Sequence, residues 1–199
     1  MAGEGGAPIA AILAGGASRR MGRDKAEVVL GGQTSLERVR ASCAAAGVET
    51  LVVGGGRPGA VEDLAPGEGP LQAVISAMRA APGRAVVVLA CDMPFVTSSL
   101  VRALAAPLGP GESARVARLG GEAQPMAMRL EAAALGALEA AWEGGVRSLK
   151  RALGPLSVAW LDVEALGDDA ALGARDFDTP ADLAQLAAEA GVAPMGAQR

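Results

Sequence analysis

Short apolar runs that alternate with segments of helical spacing limit this chain to a small set of folds. Apolar residues fill Ile9 to Leu13 and Ala85 to Ala90 without interruption, and a shorter run ends at Val53. Runs of this kind are typical of strands buried on both faces. Between them, Ser35 to Ala46 repeats apolar residues at helical spacing, and Gly47 follows as a helix-ending residue. The alternation predicts an α/β fold with a mostly parallel central sheet and helices on both faces.

The same pattern predicts the order of the elements. We expect strands near 9–13, 27–30, 50–53, 85–90, 114–118, 124–129 and 157–161. We expect helices at 35–46, 71–80, from a cap at Thr97 to about 105, 131–142, 146–153, and from Thr179 and Pro180 to about 190. A chain of 199 residues fits one domain, so we expect a single domain over 1–199 with flexible ends at 1–7 and 192–199.

Composition excludes several classes of function. The chain has no histidine, which rules out imidazole bases, Ser/His/Asp triads, Cys/His pairs and zinc sites with His ligands. A net charge of −4, no long basic run and no tyrosine argue against a nucleic-acid partner. No apolar stretch approaches ~20 residues, and Cys43 and Cys91 lack metal-ligand spacing. We therefore expect a soluble cytoplasmic protein with reduced thiols and no membrane contact.

The loop after the first strand concentrates cationic side chains. From Leu13 to Lys25 it reads Leu-Ala-Gly-Gly-Ala-Ser-Arg-Arg-Met-Gly-Arg-Asp-Lys, with four cations in the last seven positions. Glycines let the backbone approach a ligand, and Arg and Lys offset the charge of a triphosphate. The loop has neither the ending of a Walker loop nor the glycine spacing of the dinucleotide fingerprint. Its composition alone fits a phosphate-binding loop or a solvated surface loop.

The order of residues in this loop resembles the signature loop of the molybdenum cofactor guanylyltransferases. The shared order is Leu, Ala, Gly, Gly, a spacer, Arg, Met, Gly, a spacer, Asp and Lys. Related cytidylyltransferases of the same cofactor typically have Ala where Gly15 stands, so Gly15 favours guanine. The resemblance extends from the first strand to the final helix and implies a Rossmann-like nucleotidyltransferase fold.

A second candidate position is Asp92, directly after the third buried strand. Ligands of parallel sheets bind beyond the carboxyl ends of the strands, where the loop after Leu13 also lies. A carboxylate at this edge is well placed to hold Mg²⁺, a hard ion that prefers oxygen ligands. A turn or helix-capping aspartate is the alternative reading of Asp92. The resemblance implies the metal-binding role.

The resemblance also implies a set of site residues. The catalytic residues are Lys25, Arg20 and Asp92. The GTP-binding residues are Leu13, Ala14, Gly15, Gly16, Lys25, Asp63, Gly69, Pro70, Leu71 and Asp92. The stretch Gln124 to Ala127 resembles the part that faces the acceptor, although an edge strand explains it equally well. The family normally has Asn in place of both Asp176 and Asp178.

The implied activity is transfer of GMP from GTP to the phosphate of molybdopterin, with pyrophosphate released and Mg²⁺ as cofactor. The implied partners are the two substrates and, transiently, molybdopterin-delivering proteins and recipient molybdoenzymes. One alternative is a nucleotidyltransferase that uses CTP on the same cofactor or acts on another small phosphate. An alternative of another class is a noncatalytic nucleotide- or molybdopterin-binding carrier, against which the presence of both Lys25 and Asp92 argues.

Overall fold

A six-stranded sheet forms the centre of the structure, a computed structural model that describes residues 6–15 and 21–192. Its strands are β1 (Ile9–Leu13), β4 (Glu49–Val53), β5 (Val86–Ala90), β6 (Ala114–Leu119), β7 (Glu122–Leu130) and β8 (Val158–Asp162), and a separate hairpin holds β2 (Val29–Leu30) and β3 (Gln33–Thr34). The α-helices are α1 (Ser35–Ala45), α2 (Pro70–Ala80), α3 (Ser98–Ala105), α4 (Leu135–Glu143), α5 (Leu149–Ala152), α6 (Asp168–Gly173) and α7 (Pro180–Glu189). Short 3₁₀ turns occupy Lys25–Glu27, Ala132–Ala134 and Val163–Leu166.

The sheet has the order β4-β1-β5-β7-β6-β8 and is mostly parallel, as predicted. Pairs β1–β4, β1–β5 and β6–β8 are parallel, whereas β7 runs antiparallel to both of its neighbours. Strand β5 therefore pairs in parallel on one side only, with β1. The cause is the tight turn at Gly120 and Gly121, both with positive φ, which returns the chain antiparallel to β6 and inserts it beside β5.

Successive residues of the central strands face opposite cores, although their sequence does not alternate between apolar and polar residues. In β1, Ala10 and Ile12 face a core formed with α1, α3 and α6, while Ala11 and Leu13 face a second core formed with α2, α4 and α5. All five residues of β1 and of β5 are buried. Because both faces are covered by helices, apolar residues are required at every position. The predicted layers are confirmed.

The helix limits follow local capping chemistry. Thr34 forms a capping box with Glu37 at the start of α1, and the Thr97 side chain accepts from Leu100 N at the start of α3. The helix expected at 131–142 begins instead as a 3₁₀ turn before α4. The helix expected at 146–153 shrinks to α5, because Gly145 has a φ of 85° and the Ser148 side chain caps residue 151.

The sequence did not predict several short elements or the pairing of the strand near 27–30. Only Val29–Leu30 is extended there, and it pairs with β3 in the small hairpin instead of joining the main sheet. The turn Val163–Leu166 and helix α6 were not predicted, because segments of four and six residues show no clear periodicity. No helix within residues 6–15 and 21–192 is long and apolar enough to span a membrane.

The segment before α7 returns to the sheet. Phe177 is fully buried in a third apolar cluster that includes Leu30, Leu183 and Leu186. Its backbone N–H donates to the Asp92 carbonyl oxygen at 3.2 Å. This packing places residues 176–178 beside the carboxyl end of β5.

Candidate nucleotide site

A cavity of about 510 Å³ opens at the carboxyl ends of β1 and β5. Its lining includes most of the predicted nucleotide residues, namely Leu13, Ala14, Gly15, Lys25, Asp63, Gly69, Pro70 and Asp92. The structure also adds residues that were not proposed as ligands, namely Asp24, Gly67, Ala73, Ala90, Cys91, Met126, Asp176 and Asp178. The position agrees with the rule that ligands bind beyond the carboxyl ends of strands in open α/β sheets.

Of the predicted residues that the structure describes, one does not line the cavity. Leu71 is fully buried in the core beneath α2 and does not line the cavity. It is the second residue of α2, so its side chain packs against the sheet when Pro70 faces the opening. Gly16 and Arg20 lie outside the residues that the structure describes.

Lys25 lines the cavity from the end of the basic loop, where the 3₁₀ turn Lys25–Glu27 begins. Its Nζ lies 2.8 Å from Asp92 Oδ2 and 2.7 Å from Asp178 Oδ1, and 5.7 Å from the centre of the Phe177 ring. Burial lowers the pKa of Lys25, but the hydrogen bonds to Asp178 and Asp92 outweigh it and leave this pKa above its ordinary value. The ammonium therefore stays charged at neutral pH.

Asp92 begins the loop after β5 and is held from both sides. The Ser35 hydroxyl donates to the carbonyl of Cys91, and Phe177 N donates to the carbonyl of Asp92. Burial raises the pKa of the Asp92 carboxyl, and although Lys25 opposes this, the pKa remains above its usual range. Within the described chain, Asp92 Oδ1 is buried and has no hydrogen-bond partner outside its own residue. An orphaned carboxylate oxygen of this kind is an available ligand.

The oxygen atoms around Asp92 suit a Mg²⁺ ion that is bound together with a nucleotide, not one that is held by protein groups alone. The described residues contain no group of three or more His, Cys, Asp or Glu side chains arranged to hold a metal. Mg²⁺ nevertheless binds commonly through one or two carboxylates together with substrate phosphates and waters. Five aspartates and one lysine line the described part of the cavity, which gives it an excess of negative charge. The orphaned Oδ1 and this charge fit a cation that arrives with a triphosphate.

Glycines form the wall between the ends of β1 and β4. Gly54 has a φ of 77°, and a Cβ on it would lie 3.0 Å from Gly15 Cα. A Cβ on Gly15 would meet Asp63 Oδ2 at 3.7 Å, which is ordinary contact. Asp63 is 9% exposed, and its Oδ1 accepts from Ala65 N at 3.1 Å. The two backbones thus approach closely beside a carboxylate that is still accessible from the cavity.

The first turn of α2 forms the opposite wall. Gly69 is its N-cap with a φ of 99°, and a Cβ there would lie 3.1 Å from the Arg147 carbonyl oxygen. Gly69 supplies no side-chain cap, and Pro70 is the first helical residue. The positive end of the helix dipole therefore faces the cavity. Met126 of β7 contributes an apolar patch to the lining, and it belongs to the stretch compared above with an acceptor-facing segment.

Sequence reasoning missed one side chain that organises this site. Arg57 follows β4 in a segment rich in Gly and Pro, where nothing in the sequence distinguishes it from a solvated arginine. In the structure its side chain is only 17% exposed and forms ion pairs with Asp24 and Glu27. It also donates to the Ala14 carbonyl oxygen at 3.2 Å. No local signal could have revealed these contacts, because the residues involved are at least 30 positions apart.

The fold and the cavity are those of an NTP transferase. A family model described as the MobA-like NTP transferase domain matches residues 10–157, which is more than half of the chain. The protein therefore belongs to the MobA-like NTP transferase family. The matched range includes both the basic loop after β1 and Asp92.

Similar proteins with known names make this assignment more specific. Molybdenum cofactor guanylyltransferase of Pseudomonas putida is 39% identical over 153 residues, covering 71% of this chain and 80% of that protein. The same enzyme of Xanthomonas euvesicatoria is 35% identical over 140 residues, covering 69% and 72% respectively. Molybdopterin-guanine dinucleotide biosynthesis protein A from Archaeoglobus fulgidus superposes with a TM-score of 0.74 at 26% identity, covering 92% of this chain and 98% of that one. The family expected from the loop, the molybdenum cofactor guanylyltransferases, is confirmed.

Proposed function

We propose that this protein transfers GMP from GTP to the terminal phosphate of molybdopterin, releasing pyrophosphate and forming the guanine dinucleotide cofactor. The observation on which the proposal depends is the contact between Lys25 Nζ and Asp92 Oδ2 at 2.8 Å, at the meeting point of β1 and β5. It brings a cation and a carboxylate into the cavity of a nucleotidyltransferase fold. The names of the two curated relatives supply the base and the acceptor.

The chemistry needs no nucleophile from the protein. An oxygen of the molybdopterin phosphate attacks the α-phosphorus of GTP, a new P–O bond forms, and the bond to the bridging oxygen of pyrophosphate breaks. The attacking phosphate is already anionic, so the lack of histidine is no obstacle. Positioning and charge neutralisation supply the catalysis. Lys25 and Arg20 stabilise the negative charge that moves toward the pyrophosphate.

Asp92 would hold Mg²⁺ through Oδ1, which is buried and has no partner outside its own residue among the described residues. When bound, Mg²⁺ supplies Lewis-acid neutralisation of phosphate charge. Lys25 pairs with the other oxygen of the same carboxylate at 2.8 Å, so this contact keeps the carboxylate oriented. Asp176 and Asp178 add negative charge around it where the family has Asn, which strengthens the demand for a cation.

The nucleotide occupies the space between the β1 end and the start of α2. Backbone groups of Leu13 to Gly15 approach it on one side, with Asp63 behind Gly15. Gly69 and Pro70 form the other side. Gly15 favours guanine over cytosine, and a CTP-dependent enzyme is the nearest rival. The acceptor lies toward Met126, with molybdopterin-delivering proteins and recipient molybdoenzymes as transient partners in the cytoplasm.

Calorimetric titration with GTP, CTP and ATP, each with magnesium, tests the proposal. The variants are wild type, Asp92→Ala and a matched control, Asp162→Ala, which removes an aspartate at the end of β8 that pairs with Arg118 at 2.6 Å. We expect wild type and the control to prefer GTP, and Asp92→Ala to lose affinity and transfer while keeping its fold.

The outcomes separate the alternatives. A preference for CTP would assign the protein to the cytidylyltransferases. Binding of GTP without transfer to molybdopterin would favour the noncatalytic carrier. Near-normal turnover of Asp92→Ala at saturating magnesium would refute the assignment of Asp92. No binding of any nucleotide would overturn the site itself.

A further inference from the structure

Arg57 joins two parts of the chain that lie on either side of the basic loop. Its Nη1 donates to the Ala14 carbonyl oxygen at 3.2 Å, at the first end of the loop. Its Nη2 pairs with Asp24 Oδ2, at the other end of the loop, and lies 3.2 Å from Glu27 Oε1. The planar guanidinium can make such contacts at once because its donors point in fixed directions.

Asp24 connects Arg57 to the turn that contains Lys25. Its Oδ1 accepts from Ala26 N at 3.0 Å and caps the 3₁₀ turn Lys25–Glu27, while Oδ2 is held by Arg57. Both oxygens of Asp24 are thus used, one for the turn and one for the arginine. The turn presents Lys25 to Asp92 at 2.8 Å. The direction of the Lys25 side chain therefore depends on a contact with a residue that does not line the cavity.

The segment that holds Arg57 is shaped to receive its side chain. Gly55 has a φ of 75°, and a Cβ on it would overlap Arg57 Nη1 and lie 2.7 Å from the Ala14 oxygen. Glycine at this position leaves the space that the guanidinium occupies. The Arg57 Nε is buried and lacks a hydrogen-bond partner in the described chain, a cost that the other contacts must offset.

We infer that Arg57 is a positioning residue for guanylyl transfer, which fixes the two ends of the phosphate-binding loop and the direction of Lys25. The inference rests on the function proposed above. Arg57 does not touch the reacting atoms; it acts through Asp24 and the turn that contains Lys25. Misplacement of a catalytic group by about 1 Å can lower a rate on the order of a hundredfold. Loss of the Arg57 contacts should therefore have a measurable effect on kcat.

Arg84 provides a matched control at the opposite end of β1. Its Nε donates to the Ala7 oxygen at 2.8 Å, and its Nη2 pairs with Glu49 Oε2 at 2.8 Å. Its side chain is 27% exposed, against 17% for Arg57. Both arginines thus bind a carbonyl beside β1 and a carboxylate, but only Arg57 does so next to the cavity.

The experiment measures kcat and KM for GTP, together with urea unfolding, for Arg57→Ala, Arg57→Lys and Arg84→Ala. We expect Arg57→Ala to lower kcat by about tenfold to a hundredfold, with a smaller change in KM. Arg57→Lys should also have a lowered kcat, because one ammonium group cannot make all the contacts of the guanidinium. Arg84→Ala should lose stability but keep kcat within about twofold of wild type.

A double variant with Asp24→Asn tests the route of the effect. Asn keeps an oxygen that can cap the turn but removes the ion pair, so Arg57→Ala should add little to Asp24→Asn if both act through one contact. Equal kinetic effects of Arg57→Ala and Arg84→Ala, full rescue by Arg57→Lys, or additive effects with Asp24→Asn would overturn the inference. Wild type without guanylyl transfer would instead refute the proposed function itself, so the two failures are distinguishable.

Discussion

Replacement of Gly54 by alanine tests whether close approach of the β1 and β4 ends maintains the nucleotide site. Gly54 has a φ of 77°, and an added Cβ would lie 3.0 Å from Gly15 Cα and 3.2 Å from Gly15 N. Both neighbours are backbone atoms, which cannot move aside as a flexible side chain would. We expect Gly54→Ala to push Gly15 toward the cavity.

The expected loss of unfolding free energy has two parts, and the variant Gly56→Ala separates them. An L-residue in the left-handed region costs about 1–2 kcal/mol, and forcing a methyl group into a packed position costs about 1–3 kcal/mol. Gly56 has a φ of 61° with no atom within 4 Å of an added Cβ, so Gly56→Ala should show only the first part. The predicted losses of unfolding free energy are therefore about 1–2 kcal/mol for Gly56→Ala and about 2–5 kcal/mol for Gly54→Ala.

Urea denaturation with unchanged m-values measures these losses, and a GTP titration measures the site. Gly54→Ala should weaken GTP binding, whereas Gly56→Ala should leave it close to wild type. Equal destabilisation by the two variants would show that the contact with Gly15 has no energetic effect. Normal GTP affinity in a folded Gly54→Ala protein would refute the link between this contact and the nucleotide wall.

Four further results are expected. Gly15→Ala should change the free energy of unfolding by less than about 0.5 kcal/mol, since the nearest atoms are 3.7 Å from an added Cβ. It should nevertheless raise KM for GTP relative to KM for CTP in a steady-state assay, and a loss of folding would contradict the geometry. Lys25→Ala should lower mainly kcat, and an unchanged rate would exclude its contact with the reacting phosphates. Asp178→Asn should tighten GTP binding by calorimetry, on the order of 1 kcal/mol or fivefold, because a 53% exposed carboxylate no longer competes for Lys25; weaker binding would show that the charge helps. Burial raises the pKa of the Cys43 thiol to about 11 and that of Cys91 to about 12. Both thiols should therefore resist alkylation at pH 8 until urea unfolds the protein, and rapid labelling of the native protein would contradict this.

Local pattern was sufficient for most of the elements. The limits of β1 match the prediction, and those of β5 and α1 differ from it by one residue. These limits could be predicted because burial on both faces and the Thr34 cap depend on residues that are close together in the sequence. Elements whose limits depend on short turns were placed less well, as with α5, which covers half of the expected range. Helix α6 escaped notice because six residues are too few to establish a period.

The sequence named most of the residues that line the cavity, but not how they are arranged. Leu13, Lys25, Asp63, Gly69 and Asp92 meet at one cavity. Leu71 proved to be a core residue, because the second position of α2 faces the sheet. Arg57 went unnoticed, since an isolated arginine in a loop has no pattern that separates a structural contact from a solvated side chain.

The sequence by itself determined the order of most strands and helices, the exclusion of imidazole chemistry and the concentration of cationic side chains in the first loop. These properties depend on residue type and short spacing. Only the tertiary structure decided that β7 inserts antiparallel beside β5, and that Lys25 lies between Asp92 and Asp178, which are 67 and 153 residues away. Such contacts arise from the packing of whole elements, such as the burial of Phe177 against α7, and no local spacing encodes them.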